Sequence, residues 1–330
     1  MRIEGNGTLR LESPYEFGVY RHKVQLHAHT TRSDGRVDPQ PVMKAYEDLG
    51  YAAVAVTDHD YAGRTSLNLE HPGGTPMLHI PGVEYSADAN NESWCHLLAV
   101  GITHVHHADG LDARQSQVDA AAAEQGLSFL CHPYGEEVHR RGWTAQEALG
   151  LRGYNGIEIY NGISSDRHEV LSAFSRAVDL VLASGRRITI ISSDDSHQRA
   201  DMDRGYLVIN SSVPRKDLQV GDVLSALRSG DFYAVGRIDS GATRVPVFLD
   251  IEVAGDTITV RTDCAADIAF MTRHHHTAAP GPDASLLEEG VSCARYTASP
   301  DDGFVRVEAT LRENGLTSRA WSNPIHVIPR

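Results

Sequence analysis

His27-Ala28-His29-Thr30-Thr31-Arg32-Ser33-Asp34-Gly35 directly follows the alternating run Val24-Gln25-Leu26. Residues 24–29 read as a strand, and on a strand positions i and i+2 point to the same side. His27 and His29 therefore face one point, where a single metal ion can take both imidazoles. Asp34 follows on a loop, with Gly35 behind it to turn the chain. One His-x-His carries little alone, because a histidine at a strand end is more often structural or solvated than a ligand. Its weight depends on how the later strands end.

The later strands end in the same residue types. Asp38 reads as an N-cap, with Pro39 at the first helical position and an apolar stripe of Val42, Ala45, Tyr46 and Leu49; Gly50 stops that helix. Residues 51–56 are apolar throughout, as in a strand buried on both faces of a parallel sheet, and lead into Thr57-Asp58-His59-Asp60. A Gly/Pro-rich loop spans about residues 61–76. Residues 77–83 lead to Glu84, and 94–100 contain His96. Helix 109–125 precedes strand 127–130, which ends in Cys131-His132-Pro133. Strand 154–160 carries Glu158 and is followed by Asn161. A helix capped by Ser165 or Asp166 runs to Ser184, and strand 187–191 ends in Ser192-Ser193-Asp194-Asp195-Ser196-His197. Strand 205–209 and helix 218–228 complete the set. Strand, polar end, helix, repeated about seven times, is the pattern of a β/α barrel, whose chemistry sits at the C-terminal ends of its strands.

Helical periodicity stops after residue 237. Short alternating runs at 245–253, 257–262, 268–270, 304–311 and 325–328 read as strands, separated by turns such as Ala254-Gly255-Asp256 and Asn314-Gly315. The expected organisation is an N-terminal segment (1–23, irregular, with Tyr15, Phe17 and Tyr20 as packing anchors), a barrel (24–237) and a small antiparallel, sandwich-like β domain (238–330).

The chain has 330 residues, enough for two domains, and its 41% hydrophobic and 22% charged content is ordinary for a globular protein. A net charge of −14 argues against a nucleic-acid or anionic-membrane surface but not against a small anionic substrate, since bound cations reverse the sign locally. Cys95, Cys131, Cys264 and Cys293 form no CxxC pair and read as reduced and mostly buried. With no signal peptide and no apolar run long enough to span a bilayer, the expectation is a cytoplasmic protein acting on a small anionic or ester substrate, without nucleic-acid or membrane partners; a homo-oligomer is left open.

Burying so many imidazoles and carboxylates at one barrel mouth without partners would cost several kcal/mol each, and divalent cations remove that cost. Mixed imidazole and carboxylate donors suit Zn, Mn or Fe. The order HxH…SDG, TDH, GVE, HLL, HP, SDDSH resembles the PHP (polymerase and histidinol phosphatase) family of metallohydrolases over residues 20–237. The IEIYN strand, GRRI before SDDSH, and TSRAWSNPI resemble its carbaryl-hydrolase-like branch. The resemblance implies a distorted (β/α)7 barrel holding two to three divalent ions. One would take His27, His29, Glu84 and Asp195; a second would share Glu84 and add His96 and His132; a third would use Asp34, His59 and His197. Asp58, before His59, and Glu158 would orient ligands without touching metal. The implied activity is hydrolysis of a small phosphomonoester or related phosphoester by a hydroxide shared between ions. A carboxyl-ester or carbamate hydrolase with the same centre is the alternative, and a metal-binding accessory protein without catalysis is a third reading. Arg32, Arg167, His168, Arg199 and Arg204 lie on loops after the strands and are candidates for holding phosphate. The clusters His104, His106, His107 and His274, His275, His276 follow no barrel strand and read as solvated.

Overall fold

The computed structural model describes residues 2–5, 9–60, 77–86, 95–108, 113–133, 142–164, 168–274 and 287–330. The region expected to be irregular begins instead with two paired antiparallel strands, β1 (Arg2–Gly5) and β2 (Leu9–Ser13), followed by β3 (Tyr20–Gln25). Of the proposed anchors, Tyr15 is buried, with its hydroxyl donating to the Phe232 carbonyl and its ring 5.3 Å from Phe17, whereas Tyr20 is largely exposed.

Helix α1 (Pro39–Asp48) buries Val42, Met43, Ala45 and Tyr46, and leaves Leu49 exposed just past its end. Asp38 stands at the N-cap position without capping, because its carboxylate accepts the Thr31 hydroxyl instead. Strands β4 (Ala53–Val56), β5 (Leu78–Tyr85) and β6 (Leu97–Val100) follow, then α2 (Ala113–Ala123), β7 (Leu127–Leu130), α3 (Ala145–Gly150), β8 (Gly156–Asn161), α4 (His168–Ala183) and β9 (Thr189–Ser193). Thr144 caps α3 through a reciprocal bond pair with Glu147. The gap before β5, Trp94, the first residues of the helix expected at 109–125, and the cap at 165–166 lie outside the described residues.

Strands β3 to β9 pair in chain order, and every residue of β4, β6, β7 and β8 is buried, as the continuous apolar runs require. The sheet departs from a regular β/α barrel in two ways. First, β6 runs antiparallel to both β5 and β7. Second, no ladder joins β9 to β3. On its outer edge β3 pairs with β10 (Gly205–Ser211), in antiparallel fashion, so the sheet continues outward as an open one. The two ends of the seven-strand run meet only beyond their ladders, at a parallel bridge between Ala28 and Ser196. There His29 N–H donates to the Ser196 carbonyl at 2.9 Å and Asp195 N–H to the His27 carbonyl at 3.1 Å.

Gln25 makes this fork tenable. Fully buried, it donates its side-chain amide to the Gly205 carbonyl (2.8 Å) on the β10 side, and its oxygen accepts Leu26 N–H (3.0 Å), His27 N–H (3.1 Å) and Asp194 N–H (3.3 Å). Backbone groups that leave one neighbour before reaching the next are thereby satisfied.

Beyond β10 come α5 (Val220–Ser229), ended by Gly230 in the left-handed conformation, and β11 (Phe232–Arg237). The remainder is antiparallel: β12 (Phe248–Ala254), β13 (Thr257–Thr272), β14 (Leu287–Thr297), β15 (Phe304–Glu313), β16 (Leu316–Ser322) and β17 (Ile325–Pro329). The runs 257–262 and 268–270 are one strand, bent by bulges. β16 pairs with β11 and β17 with β2, so hydrogen-bonded ladders run across the expected boundaries at 23 and 237. Side chains lock the same junction. Buried Arg306 on β15 forms a two-point ion pair with Asp179 on α4 (2.6 and 2.7 Å). Asn323 accepts Ile190 N–H at the start of β9 (2.6 Å) and donates to the Gly230 and Phe232 carbonyls. Of the cysteines, Cys95 and Cys131 are buried and Cys293 is exposed, contrary to the expectation that most are buried. Among the described residues no helix is long and apolar enough to cross a membrane.

Candidate metal centre

The nine histidines and carboxylates proposed as ligands all come to one end of the seven-strand run. His27 and His29 flank the bridging Ala28, so the fork guided by Gln25 aims both rings inward. Asp195 stands on the other side of the same bridge. Glu84 lies near the end of β5 and His132 just past β7. His96 precedes its strand; because β6 is reversed, the start of that strand reaches the end where its neighbours finish. Its carbonyl is anchored by Trp143 Nε1 at 2.6 Å.

Glu84 divides the donors. Its Oε2 lies 3.2 Å from both His27 Nε2 and His29 Nε2, and 3.1 Å from His59 Nδ1; its Oε1 lies 3.0 Å from His96 Nδ1 and 3.4 Å from His132 Nε2. Asp195 Oδ1 is 3.3 Å from His27 Nε2 and 3.0 Å from His29 Nε2. These three Asp195 and histidine atoms are buried and have no hydrogen-bond partner despite the short separations. Atoms that point at a common centre, and not at one another, behave this way: four tetrahedral ligands at ~2.0–2.1 Å from an ion stand about 3.3–3.4 Å apart. The His27, His29, Glu84 and Asp195 set therefore fits a metal ion; the other Glu84 oxygen faces His96 and His132, with His96 clustering beside Glu84 and His59, and His132 beside Glu84 and Cys131. Asp34, His59 and His197 form a further group, with Asp34 Oδ2 3.1 Å from His197 Nε2 and 3.5 Å from His59 Nε2. His27, His29 and Glu84 are at most 1% exposed, whereas Asp34 is 41% exposed, so this last group forms the open rim.

The surroundings fix which ring nitrogen faces inward. Glu158 Oε1 is 2.9 Å from His27 Nδ1, which leaves Nε2 for the centre. The same fully buried carboxylate accepts the Ser193 hydroxyl (2.5 Å), His132 N–H (2.7 Å) and the Asn161 amide (3.1 Å). His197 Nδ1 meets the Asp195 carbonyl at 2.9 Å, which turns Nε2 toward Asp34. Asp58 also holds the loop that follows His29. Its oxygens accept Thr30 N–H, the Thr30 hydroxyl and the Ser33 hydroxyl, all at 2.7 Å, so it pins the loop between His29 and Asp34. Gly35 is needed there for space, since a Cβ would fall 2.6 Å from the backbone of His29 and Thr30.

The electrostatics follow from burial against charge. Burial disfavours a charged His29, but the Asp195 and Glu84 carboxylates beside it outweigh that and raise its pKa to about 10. His27 is raised well above its ordinary value in the same way, burial being outweighed by Asp195, Glu84 and Glu158. Burial pushes His96 down, only partly offset by Glu84. Glu84 and Asp195 are held below the usual carboxylate range, their burial overcome by the surrounding imidazoles.

The proposed phosphate-holding residues are less united. Arg32 is half-buried on the Asp58-pinned loop, and Arg199 is exposed in a short 3-10 turn after His197. Arg204 donates to the Gly162 carbonyl at 3.1 Å and lines a cavity of about 300 Å³ with Arg237 and Asp239. Arg167 and the His168 side chain lie outside the described residues, as do His275 and His276. His104 is exposed beside Glu124. Residues that the sequence reading did not single out are Gln25, Ser193 and Asn161; the available signal was a polar residue inside or directly ending a run of otherwise buried strand.

No family model matches the chain. Over 85 residues, 25% of this chain and 29% of the relative, it is 32% identical to the 5'-3' exoribonuclease Rnm of Salmonella typhimurium, so the match spans under a third of that relative's length. Among solved structures, a two-domain protein from Bacteroides vulgatus containing a predicted PHP-like metal-dependent phosphoesterase superposes with a TM-score of 0.47 at 14% identity, over 100% of this chain and 98% of that one. PsfC from Pseudomonas syringae gives 0.44 at 19% identity over 63% and 89%. An amidohydrolase from Chromobacterium violaceum, with bound sulfate and no metal, gives 0.39 at 16% identity over 62% and 96%.

Proposed function

We propose that this chain is a metal-dependent hydrolase of the PHP type, cleaving a small phosphomonoester or related phosphoester, with the seven-strand run as its distorted barrel. The observation that carries the reading is the orphaned donor set: buried nitrogens and oxygens 3.0–3.3 Å apart that do not hydrogen-bond to each other. His27, His29, Glu84 and Asp195 would hold one ion, Glu84, His96 and His132 a second, and Asp34, His59 and His197 a third, with Zn, Mn or Fe as the metals suited to such donors. Bound there, divalent ions would supply an acidified water and neutralise charge developing on a phosphoryl group.

The chain's own contribution is positioning. Glu84 ties two donor sets to one carboxylate, Glu158 fixes the His27 tautomer, and closed walls keep bulk water from the inner set. Substrate would enter past the rim at Asp34 and His197, the exposed side of the cluster. The test is to replace His27 or Glu84 by Ala, measure bound metal by elemental analysis and assay p-nitrophenyl phosphate. Full activity in a metal-free variant refutes the proposal. The match to an exoribonuclease favours phosphodiesters as a second reading, so short RNA oligonucleotides belong beside the monoester. An aryl-carbamate and ester panel on the same preparation tests the carboxyl-ester alternative, and inactivity on all panels by metal-loaded protein would favour an accessory role.

A further inference from the structure

Asp195 reaches the inner donor set from a costly backbone conformation, with φ of +52° in a non-glycine residue. Its Oδ1 faces His27 and His29, so the turn of the carboxylate about its own axis must be set through Oδ2. Oδ2 accepts the Asn161 amide at 3.1 Å. The same NH2 donates to Glu158 Oε2, also at 3.1 Å. The Asn161 oxygen faces the other way and accepts Ile163 N–H (3.2 Å) and Ser164 N–H (3.1 Å). Those two N–H donors fix the orientation of the amide, because its nitrogen cannot occupy their place. Asn161 is fully buried and closes β8.

One neutral group thus stands between two buried carboxylates and gives a proton to each. One of them, Asp195, faces the inner ion position; the other, Glu158, orients His27 from behind. Without a donor between them, the carboxylates would repel and Asp195 Oδ2 would lose the bond that holds Oδ1 toward the two imidazoles.

We infer that Asn161 is a positioning residue for the inner ion, acting through its two amide protons, and that this role is separate from its bracing of residues 162–164 through the oxygen. This rests on the metal-centre reading above. Outer-sphere partners of this kind are worth about 10–100-fold in metal affinity.

Two substitutions separate the roles. Asn161→Asp keeps an acceptor for Ile163 and Ser164 but, with one proton at most, cannot donate to both Asp195 and Glu158. Asn161→Ala loses both functions. Metal affinity and stoichiometry of the full chain are measured with Zn or Mn by chelator competition, alongside thermal melting of each variant. The expected result is that both variants hold one fewer tightly bound ion per chain, while the ion beside His96 and His132 is retained. Wild-type affinity in Asn161→Asp together with loss in Asn161→Ala would show a loop brace only and overturn the assignment. Loss of all ions in variants that melt like wild type would also overturn it, since the effect would not be local to Asp195. A wild-type chain that takes up no metal would instead refute the metal-centre reading on which it stands.

Discussion

Replacing Glu158 by Gln tests whether one buried carboxylate organises the centre. The substitution keeps volume and shape but turns one acceptor oxygen into a donor. Oε1 serves His27 Nδ1 and the Ser193 hydroxyl, and Oε2 serves His132 N–H and the Asn161 amide. Whichever oxygen becomes NH2, two donors lose their acceptor inside a fully buried site. The Ser193 hydroxyl can rotate away, but an imidazole N–H, a backbone N–H and an amide cannot. Each buried donor left unsatisfied costs about 1–3 kcal/mol, so the fold should lose about 1–3 kcal/mol if Oε1 becomes the amide nitrogen and about 2–6 kcal/mol if Oε2 does. At roughly 2–4 °C per kcal/mol for large domains, the melting temperature should drop by about 2–12 °C in the first case and about 4–24 °C in the second. Metal affinity should fall about 10–100-fold, because His27 loses the partner that fixes its tautomer and His132 loses its backbone anchor. Melting in chelator and in metal, with affinity from chelator competition, separates the two effects. A Glu158→Gln chain that melts and binds metal like wild type would refute the reasoning, because it would mean that these four bonds carry no net energy.

Metal uptake by the stripped protein at pH 7 should release protons, since His29 is held near 10 and His27 well above its ordinary value by neighbouring carboxylates. Calorimetry in buffers of different ionisation enthalpy reads this directly, and no buffer dependence would contradict it. The sign for the metal-free fold follows: histidines raised above their unfolded value of ~6.5 stabilise it below that pH, and this contribution fades as pH climbs toward 10. Asp179→Ala should cost about 3–5 kcal/mol in denaturant unfolding, by leaving buried Arg306 with Glu308 at 3.4 Å as its only charged partner among the described residues. The double change Asp179→Leu with Arg306→Met should recover most of that loss; no recovery would argue against the pairing. Gly35→Ala should force the His29–Asp34 loop outward and lower the metal content found by elemental analysis, since the added Cβ strikes the backbone of His29 and Thr30; wild-type metal content would refute this.

The residues of the histidine and carboxylate cluster were legible because they sit in short local patterns: His-x-His after a strand, Asp-His after an apolar run, Asp-Asp-Ser-His after another. The strands themselves were legible for a related reason, since four-residue runs such as Ala53–Val56 are apolar on both faces. What the sequence did not disclose depends on distant partners. The reversal of β6 is set by its neighbours, and nothing in Leu97–Val100 states a direction. Gln25 looked like the polar position of an alternating strand, yet its side chain bonds to groups near residues 194 and 205. β11 and β16 escaped notice because each owes its place to pairing with the other. The bonds of Asp58 to Thr30 and Ser33, 28 and 25 residues away, were likewise invisible in the local pattern.

The clasp at Asn323 has a consequence for how the protein is made. Synthesis is vectorial, and domains ordinarily fold as they emerge. Here Asn323, which accepts Ile190 N–H on β9, and the strand that zips onto β2 are translated after all the proposed ligands. A nascent chain that has completed residues 1–237 carries every donor for metal, but β9 lacks the bond to Ile190 N–H and β11 lacks β16 along its open edge. A ribosome stalled before the C-terminal strands should therefore present a chain whose donor cluster is less firmly held and captures metal poorly.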